Sequence, residues 1–459
     1  MKQRTIHLAA TGARIATGAI VAIACAAGVV AATAAPWPEV HTEAAATKVT
    51  PMPGDTVLVC NGSFRALGRD SSQADLMVSA AAPRLRVESA KGATKTAELK
   101  MPALTGGVGA QAVTGVVQNR AAPLVAASET FSFDDSDLRG FAAAPCREAG
   151  MHSWIVGGDM STGAADVIVL SNPGSVPATV DLHVYGTQRS TATTVVPAGT
   201  QVGLSLASVA GKEARPVIEV VASGAPVRAA LQSSLTRTLD PVGVDLQDGA
   251  SGPQQELELL GVVATPVADG DDATGVVLRA LSPGSDTTAT VRVRNAGGGA
   301  VIDEYSVDLL AGVPTEIGLS GLAAGAYDVQ VTAAEPVIAA ARQTARAGAQ
   351  EDFAWMLPAP QVVGATMFSV PDGAPATLYL RSTAEEPVTV TLKGSGGGKI
   401  TIPADGAKVV KLKTGGYVLT ATEPVHAAVG MRGGDGSAAI AGWPLWAPPS
   451  TQQPITVRP

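Results

Sequence analysis

A short apolar phrase recurs along this chain at the spacing of a small domain, and that repetition limits the available folds more than any other feature. The phrase is a proline followed by an alanine-rich run: PVRAAL at 226–231, PVIAAA at 336–341, PVHAAV at 424–429, and a looser copy, PLVAAS, at 123–128. Successive prolines are 103, 110 and 88 residues apart, about one domain each. Other segments recur around it in fixed order. An alternating run reads ATVDLHVYG from Ala178, ATVRVRNAGG from Ala289 and VTVTLKGSGG from Val388. A turn (PAGT, LAGV, PADG) follows, and then an apolar run that leads into the proline.

The alternation has a period of two. Val180, Leu182 and Val184 face one way, and Thr179, Asp181, His183 and Tyr185 the other, as half-buried antiparallel strands require. Strands at intervals of 8–12 residues, broken by Asn-Pro-Gly, Ser-Pro-Gly and Gly-Gly-Gly turns, point to sandwiches or barrels. Propeller blades would repeat at about 40–50 residues, half the spacing seen. The sequence therefore predicts an all-β protein of tandem immunoglobulin-like antiparallel β-sandwich modules. They fall near residues 51–153 (a degenerate copy), 154–256, 257–352 and 353–447. Val227, Val337 and Val425 should be equivalent buried positions, with Val180, Val291 and Val390 facing the same three cores. The phrase proline suits a strand start or an edge. Trp154, Trp355, Trp443 and Trp446 lie at module junctions, where packing between neighbours explains them.

The N-terminus places the modules. Residues 1–14 are basic, with Lys2, Arg4 and Arg14, and an uncharged stretch follows over residues 15–35. As a helix it is about 30 Å long, the thickness of a bilayer core. No acidic residue precedes Glu39, so the basic flank should stay cytoplasmic and the remainder lie outside. Three readings share the segment. Its length favours a retained anchor over a cleaved signal peptide, whose apolar region usually runs about 7–15 residues. Ala32-Thr33-Ala34 offers a cleavage site, and Cys25 is a poor lipoprotein site because the apolar run continues beyond it. Each reading exports the modules: a cell-membrane protein with its C-terminal part extracytoplasmic, or a secreted one after cleavage. Residues 36–50 read as a linker and 448–459 as a frayed, disordered tail.

Export takes the net charge of the outer part from −8 to −11, which argues against nucleic acid and anionic surfaces as partners. It also leaves Cys60 and Cys146 as the only outer cysteines, a disulfide pair by compartment.

No catalytic, cofactor-binding or metal-ligating residue stands out. The five histidines (His7, His41, His152, His183, His426) do not converge in sequence. GSGGGK at 394–399 lacks Walker spacing and has Ile400 where a hydroxyl is needed, so it reads as a hairpin loop. Asp134-Asp135-Ser136-Asp137 and Asp269-Gly270-Asp271-Asp272 match no calcium-loop spacing and read as solvated turns. A glycosidase pair distant in sequence stays open, although sixteen aromatics leave few sugar platforms.

With these elements in order, the chain resembles the exported envelope proteins of high-GC actinobacteria classed as a domain of unknown function. The resemblance rests on the N-terminus, the L-x-N-P-G turn (Leu170 to Gly174), the P-V-x-A-A strand and the D-F-A-W step (Asp352 to Trp355). It implies placement at the cell envelope and no activity. The expectation is a non-catalytic, membrane-tethered scaffold or protein-binding stalk, touching the membrane through its helix and an envelope protein or glycan through its modules. The alternatives are an accessory factor for cell-surface glycan synthesis or export, and a hydrolase with a site hidden between modules.

Overall fold

The structure is a computed structural model that describes residues 2–34, 47–49, 52–67, 76–265, 275–348, 350–434, 436–447 and 455–457. The described chain is 61% strand and 7% helix. Two units are separable, Met1–Pro51 with Gln453–Pro459, and Met52–Gln452.

The first unit holds the helix Lys2–Ala34. Its stretch Gly12–Thr33 has a mean hydropathy of 2.3 and no buried side chain, long and apolar enough to cross a membrane. The expected linker and tail each contribute a strand instead: Thr47–Val49 pairs antiparallel with Ile455–Val457. Both triplets are rich in β-branched residues, which favour extended backbone, but three residues are too few to show a period.

The second module is the sandwich the alternation predicts. One four-stranded sheet holds His152–Ile155, Val217–Ser223, Ala178–Tyr185 and Ser190–Val196. The other holds Thr200–Ser205, Val167–Asn172, Arg228–Arg237 and Asp240–Asp248. Val180, Leu182 and Val184 are buried between them, while Thr179 is exposed. The L-x-N-P-G turn has a plain cause. Fully buried Asn172 donates to the carbonyls of Val176 and Val196 and accepts from the Gly174 N–H.

In the third and fourth modules the two layers are one curled seven-stranded sheet each, because the strand carrying the repeated phrase does not stop at its proline. Gly325–Ala347 pairs with Thr287–Asn295 before Pro336 and with Val276–Leu281 after it. Ala334, Glu335 and Pro336 are exposed at the corner, so the missing N–H faces water and costs no ladder bond. Gly415–Arg432 turns the same corner at Pro424. In the second module Gly224, at φ +87, breaks the strand there instead. The proline thus stands at a strand start in the first module, where Pro123 precedes Leu124–Asp134, and at an exposed corner between layers in the third and fourth.

The first module is three three-stranded sheets, with one parallel pair, Met77–Ala81 beside Leu104–Thr105. The Leu104 N–H donates to the Met101 carbonyl in the tight turn that leads into this two-residue strand. The six valines are buried in three matching cores: Val180 with Val227, Val291 with Val337, and Val390 with Val425. The third module runs to Met356, so the D-F-A-W step closes it rather than opening the fourth.

The modules are not strung out. Each phrase strand turns back as a hairpin into a closing strand: Arg139–Pro145, Asp240–Asp248, Gln350–Met356 and Ile440–Pro444. These four closing strands pack in a ring, first on second, second on third, third on fourth and fourth on first. Small residues let the backbones approach: Gly140, Ala142 to Ala144, Gly243, Ala354 and Ala441 lie on these strands. Asp352 pins the centre. Its carboxylate accepts N–H groups from Phe141 at 2.7 Å, Val244 at 3.1 Å and Phe353 at 3.0 Å, joining three modules at one side chain. A Cβ at Gly140 or Gly243 would stand 2.6 Å from that carboxylate, so both positions need glycine. Burial pushes the Asp352 carboxyl well above the usual range, and the N–H groups pull the other way.

Asp352→Ala leaves three buried N–H groups without an acceptor and should cost roughly 3–5 kcal/mol. Asp352→Asn keeps one acceptor oxygen but turns an amide N–H₂ toward Phe141, and should cost about 1–3 kcal/mol. Denaturant unfolding checks both; a loss below about 0.5 kcal/mol for the alanine variant contradicts the pin.

Candidate functional site

The ring leaves a cleft of about 260 Å³ where its first and last modules meet. One wall comes from the strands Thr56–Val59 and Leu124–Asp134 of the first module, the other from Gln361–Val370 and residues 443–447 of the fourth. Leu58, Val125 and Ala127 line the cleft from the first module and Phe368, Trp443 and Leu445 from the fourth. Ser128 and Ser369, both buried, close the seam with a 2.9 Å hydroxyl–hydroxyl bond. At one end Arg147 lays its guanidinium over the Trp446 ring, 3.4 Å from its centre, and donates to the Gly249 carbonyl. A single side chain therefore links the first, second and fourth modules. Burial lowers Arg147 to about 10, so it stays cationic at neutral pH; burial raises Glu148 beside it, and the Arg147 charge opposes that rise.

The expected cysteine pair lies at this wall. Cys60 and Cys146 are bonded, with Cα atoms 4.3 Å apart, just under the common range, and Cys146 lines the cleft. The bridge fastens the end of one wall strand to the segment that carries Arg147.

A second cavity, also about 260 Å³, holds Asp159 and Asp166 in the second module. Desolvation pushes Asp166 up to about 7, against an N–H bond from Asp159 and a hydroxyl bond from Ser233. Asp159 in turn accepts the Ser161 N–H. Both carboxylates thus fold the loop that carries them. Asp245 behaves alike at the ring, pushed up to about 7 by burial while accepting the Trp355 N–H. Glu258 is pushed to about 7 and Asp328 to about 6 by the same cause.

The remaining sequence candidates are scattered. His152 bonds Glu219 and His183 bonds Thr191, both on the surface. His426 is buried with Nδ1 on the Ala359 carbonyl, and burial lowers its pKa. His41 and Asp269 to Asp272 lie outside the described residues. Asp134 to Asp137 form the turn of the first closing hairpin, and residues 394–397 form another hairpin turn. Among the described residues no group of three or more His, Cys, Asp or Glu side chains is placed to hold a metal ion. Sequence reasoning missed Arg147 and Asp352. Only two signals pointed to them: Arg147 adjoins a bridged cysteine, and Asp352 opens the D-F-A-W step.

Asp166, Asp245, Glu258 and Asp328, the four carboxyls pushed up to about 6 or 7, give a signed expectation. Each keeps its proton to higher pH in the fold than in the unfolded chain, so between about pH 4 and 7 the folded state binds more protons. Their contribution is full below the unfolded pKa and is lost as pH rises through the folded one. Asp245→Asn, which can still accept the Trp355 N–H, should remove one group's share, at most about 1.4 kcal/mol per pH unit. Melting at pH 5 and pH 7.5 tests this: the variant's stability should fall less than the parent's, and an equal fall contradicts it.

A family model described as Family of unknown function (DUF5719) matches residues 103–413, more than half of the sequence, and the chain belongs to that family. The match spans the second and third modules entire and ends before Trp443 and Trp446. No curated protein matches the chain.

Proposed function

For this member of a family of unknown function, we propose a non-catalytic scaffold tethered to the cell membrane by its N-terminal helix, with the β-modules on the extracytoplasmic side. The observation that carries this reading is the polar stapling between modules, which holds their surfaces in one fixed arrangement. Besides Asp352, Gln232 both accepts from and donates to the backbone of Arg65. Arg279 reaches the carbonyls of Val156 and Pro216, and buried Glu258 pairs with buried Arg381 at 3.2 Å. The first-to-second, second-to-third and third-to-fourth boundaries each carry such a link, and Arg147 with Ser128–Ser369 links fourth to first. Contact between the first and last modules favours a compact scaffold over an extended stalk. The apolar helix and the bridged cysteines support export. One observation favours hydrolysis instead: the raised Asp166 in its own cavity.

Two arms test the proposal. Protease added to intact spheroplasts should digest the modules while an N-terminal tag stays protected; protected modules would refute the orientation. In a deletion strain, Asp166→Asn should restore envelope integrity as the parent does and Asp352→Ala should not. Failure of the Asp166 variant alone would favour the hydrolase.

A further inference from the structure

We propose that the strand Ser190–Val196, at the open edge of the second module, pairs antiparallel with the same strand of a second copy of this chain. This goes beyond the scaffold reading and does not depend on it, since the pairing needs no membrane.

Three modules carry an edge strand at the same place in the fold, beside the alternating run. Ser190–Val196 pairs with Ala178–Tyr185 in the second, Val301–Leu309 with Thr287–Asn295 in the third, and Gly398–Ile402 with Val388–Lys393 in the fourth. Each ends its sheet, with no second neighbouring strand among the described residues. Such an edge presents unpaired N–H and C=O groups, and proteins guard it with charge, proline, a bulge or a short strand. The third module uses Asp303, Glu304 and Asp308, together with a register shift at Val293/Arg294. The fourth has only five residues, exposed Lys399 among them.

The second module has none of these guards. Its seven residues (STATTVV) hold no charge and no proline, and they pair without a register shift. Thr191, Thr193, Thr194, Val195 and Val196 are β-branched, which favours extended backbone, and Val195 is 56% exposed. The edge is also ordered in advance. On its outer face the Thr193 hydroxyl donates to the Asp181 carboxylate at 2.6 Å, and the Thr191 hydroxyl bonds the His183 ring at 3.0 Å. Little freedom is left to lose on pairing.

The strand's own sequence selects the occupant. Full overlap of two copies sets Thr193 opposite Thr193, Thr191 opposite Val195 and Ala192 opposite Thr194. Core-facing positions then meet core-facing ones and outward positions meet outward ones, so one sheet runs through both copies. Arg189 comes level with Pro197 of the second copy rather than with its arginine. That proline has no N–H to offer and ends the ladder. An unrelated extended segment would match these features only by chance. The two-fold pair closes on itself, covers the unguarded edge of both copies and gains roughly six main-chain hydrogen bonds.

Oxidative cross-linking of the full chain in detergent tests the proposal, with Cys25→Ser removing its free cysteine. Thr193→Cys sets two thiols across the two-fold, with Cβ atoms about 5 Å apart. Thr191→Cys leaves them about 14 Å apart, so it should give about tenfold less disulfide-linked dimer. Thr191→Lys with Val195→Lys, both at exposed positions, sets lysines opposite lysines. Added to Thr193→Cys, the pair should abolish the cross-link. The matching Thr191→Glu with Val195→Glu should do the same alone, and mixing the two chains should restore it. The proposal is overturned by absence of dimer from Thr193→Cys, by equal cross-linking of Thr191→Cys, by a cross-link that survives the lysine pair, or by a mixture that stays monomeric.

Discussion

One carboxylate holding the backbones of three modules is the interaction on which the rest of this structure depends. Asp352 takes N–H groups from Phe141, Val244 and its neighbour Phe353. No apolar side chain could do this, because edge amides facing another module have no ladder partner and leaving them bare costs more than a bond gains. The same pin explains the composition. Gly140 and Gly243 are glycine because a Cβ would strike the carboxylate. The alanine-rich phrase, with only 3% aromatics in the chain, lets four hairpins converge where larger side chains would hold them apart.

The ring is closed unevenly. The second and third modules bury Trp154, Phe353 and Trp355 together in one core, with Arg279 over the Trp355 ring. The first and second share a core around Phe64, Phe131 and Val244. Between first and fourth, Phe141 and Ala143 reach the fourth core, but the outer part of the seam is bridged by Ser128–Ser369, Arg86–Asp372 at 3.2 Å and the Arg147–Trp446 stack. The cleft lies along that seam. The disulfide beside it stiffens the wall that the seam itself holds least.

The period of two showed which face of each strand is buried, and the valines of the phrase and of the alternating runs lie where that pattern puts them. A period does not say what covers the face beyond its own module. The closing ring was therefore not legible, nor was the cleft, whose lining comes from segments some three hundred residues apart. Proline cannot donate to a ladder, which suits a strand start or an edge; Pro123 precedes the strand Leu124–Asp134, while the strands at Pro336 and Pro424 pass through exposed corners where no donor is needed. Asp352 was visible as part of D-F-A-W, yet nothing local marks an aspartate as the acceptor for distant amides. The Thr47–Val49 and Ile455–Val457 ribbon escaped notice because each half is too short for a pattern.

If the buried staples make four modules one body, the modules should lose their structure together. Differential scanning calorimetry of the full chain in detergent tests this most directly, since tandem domains of this size ordinarily unfold in separate steps. The account predicts one transition for the β-modules, with calorimetric and van't Hoff enthalpies in agreement. Two or more resolved transitions, each with the enthalpy of a roughly hundred-residue domain, would contradict it.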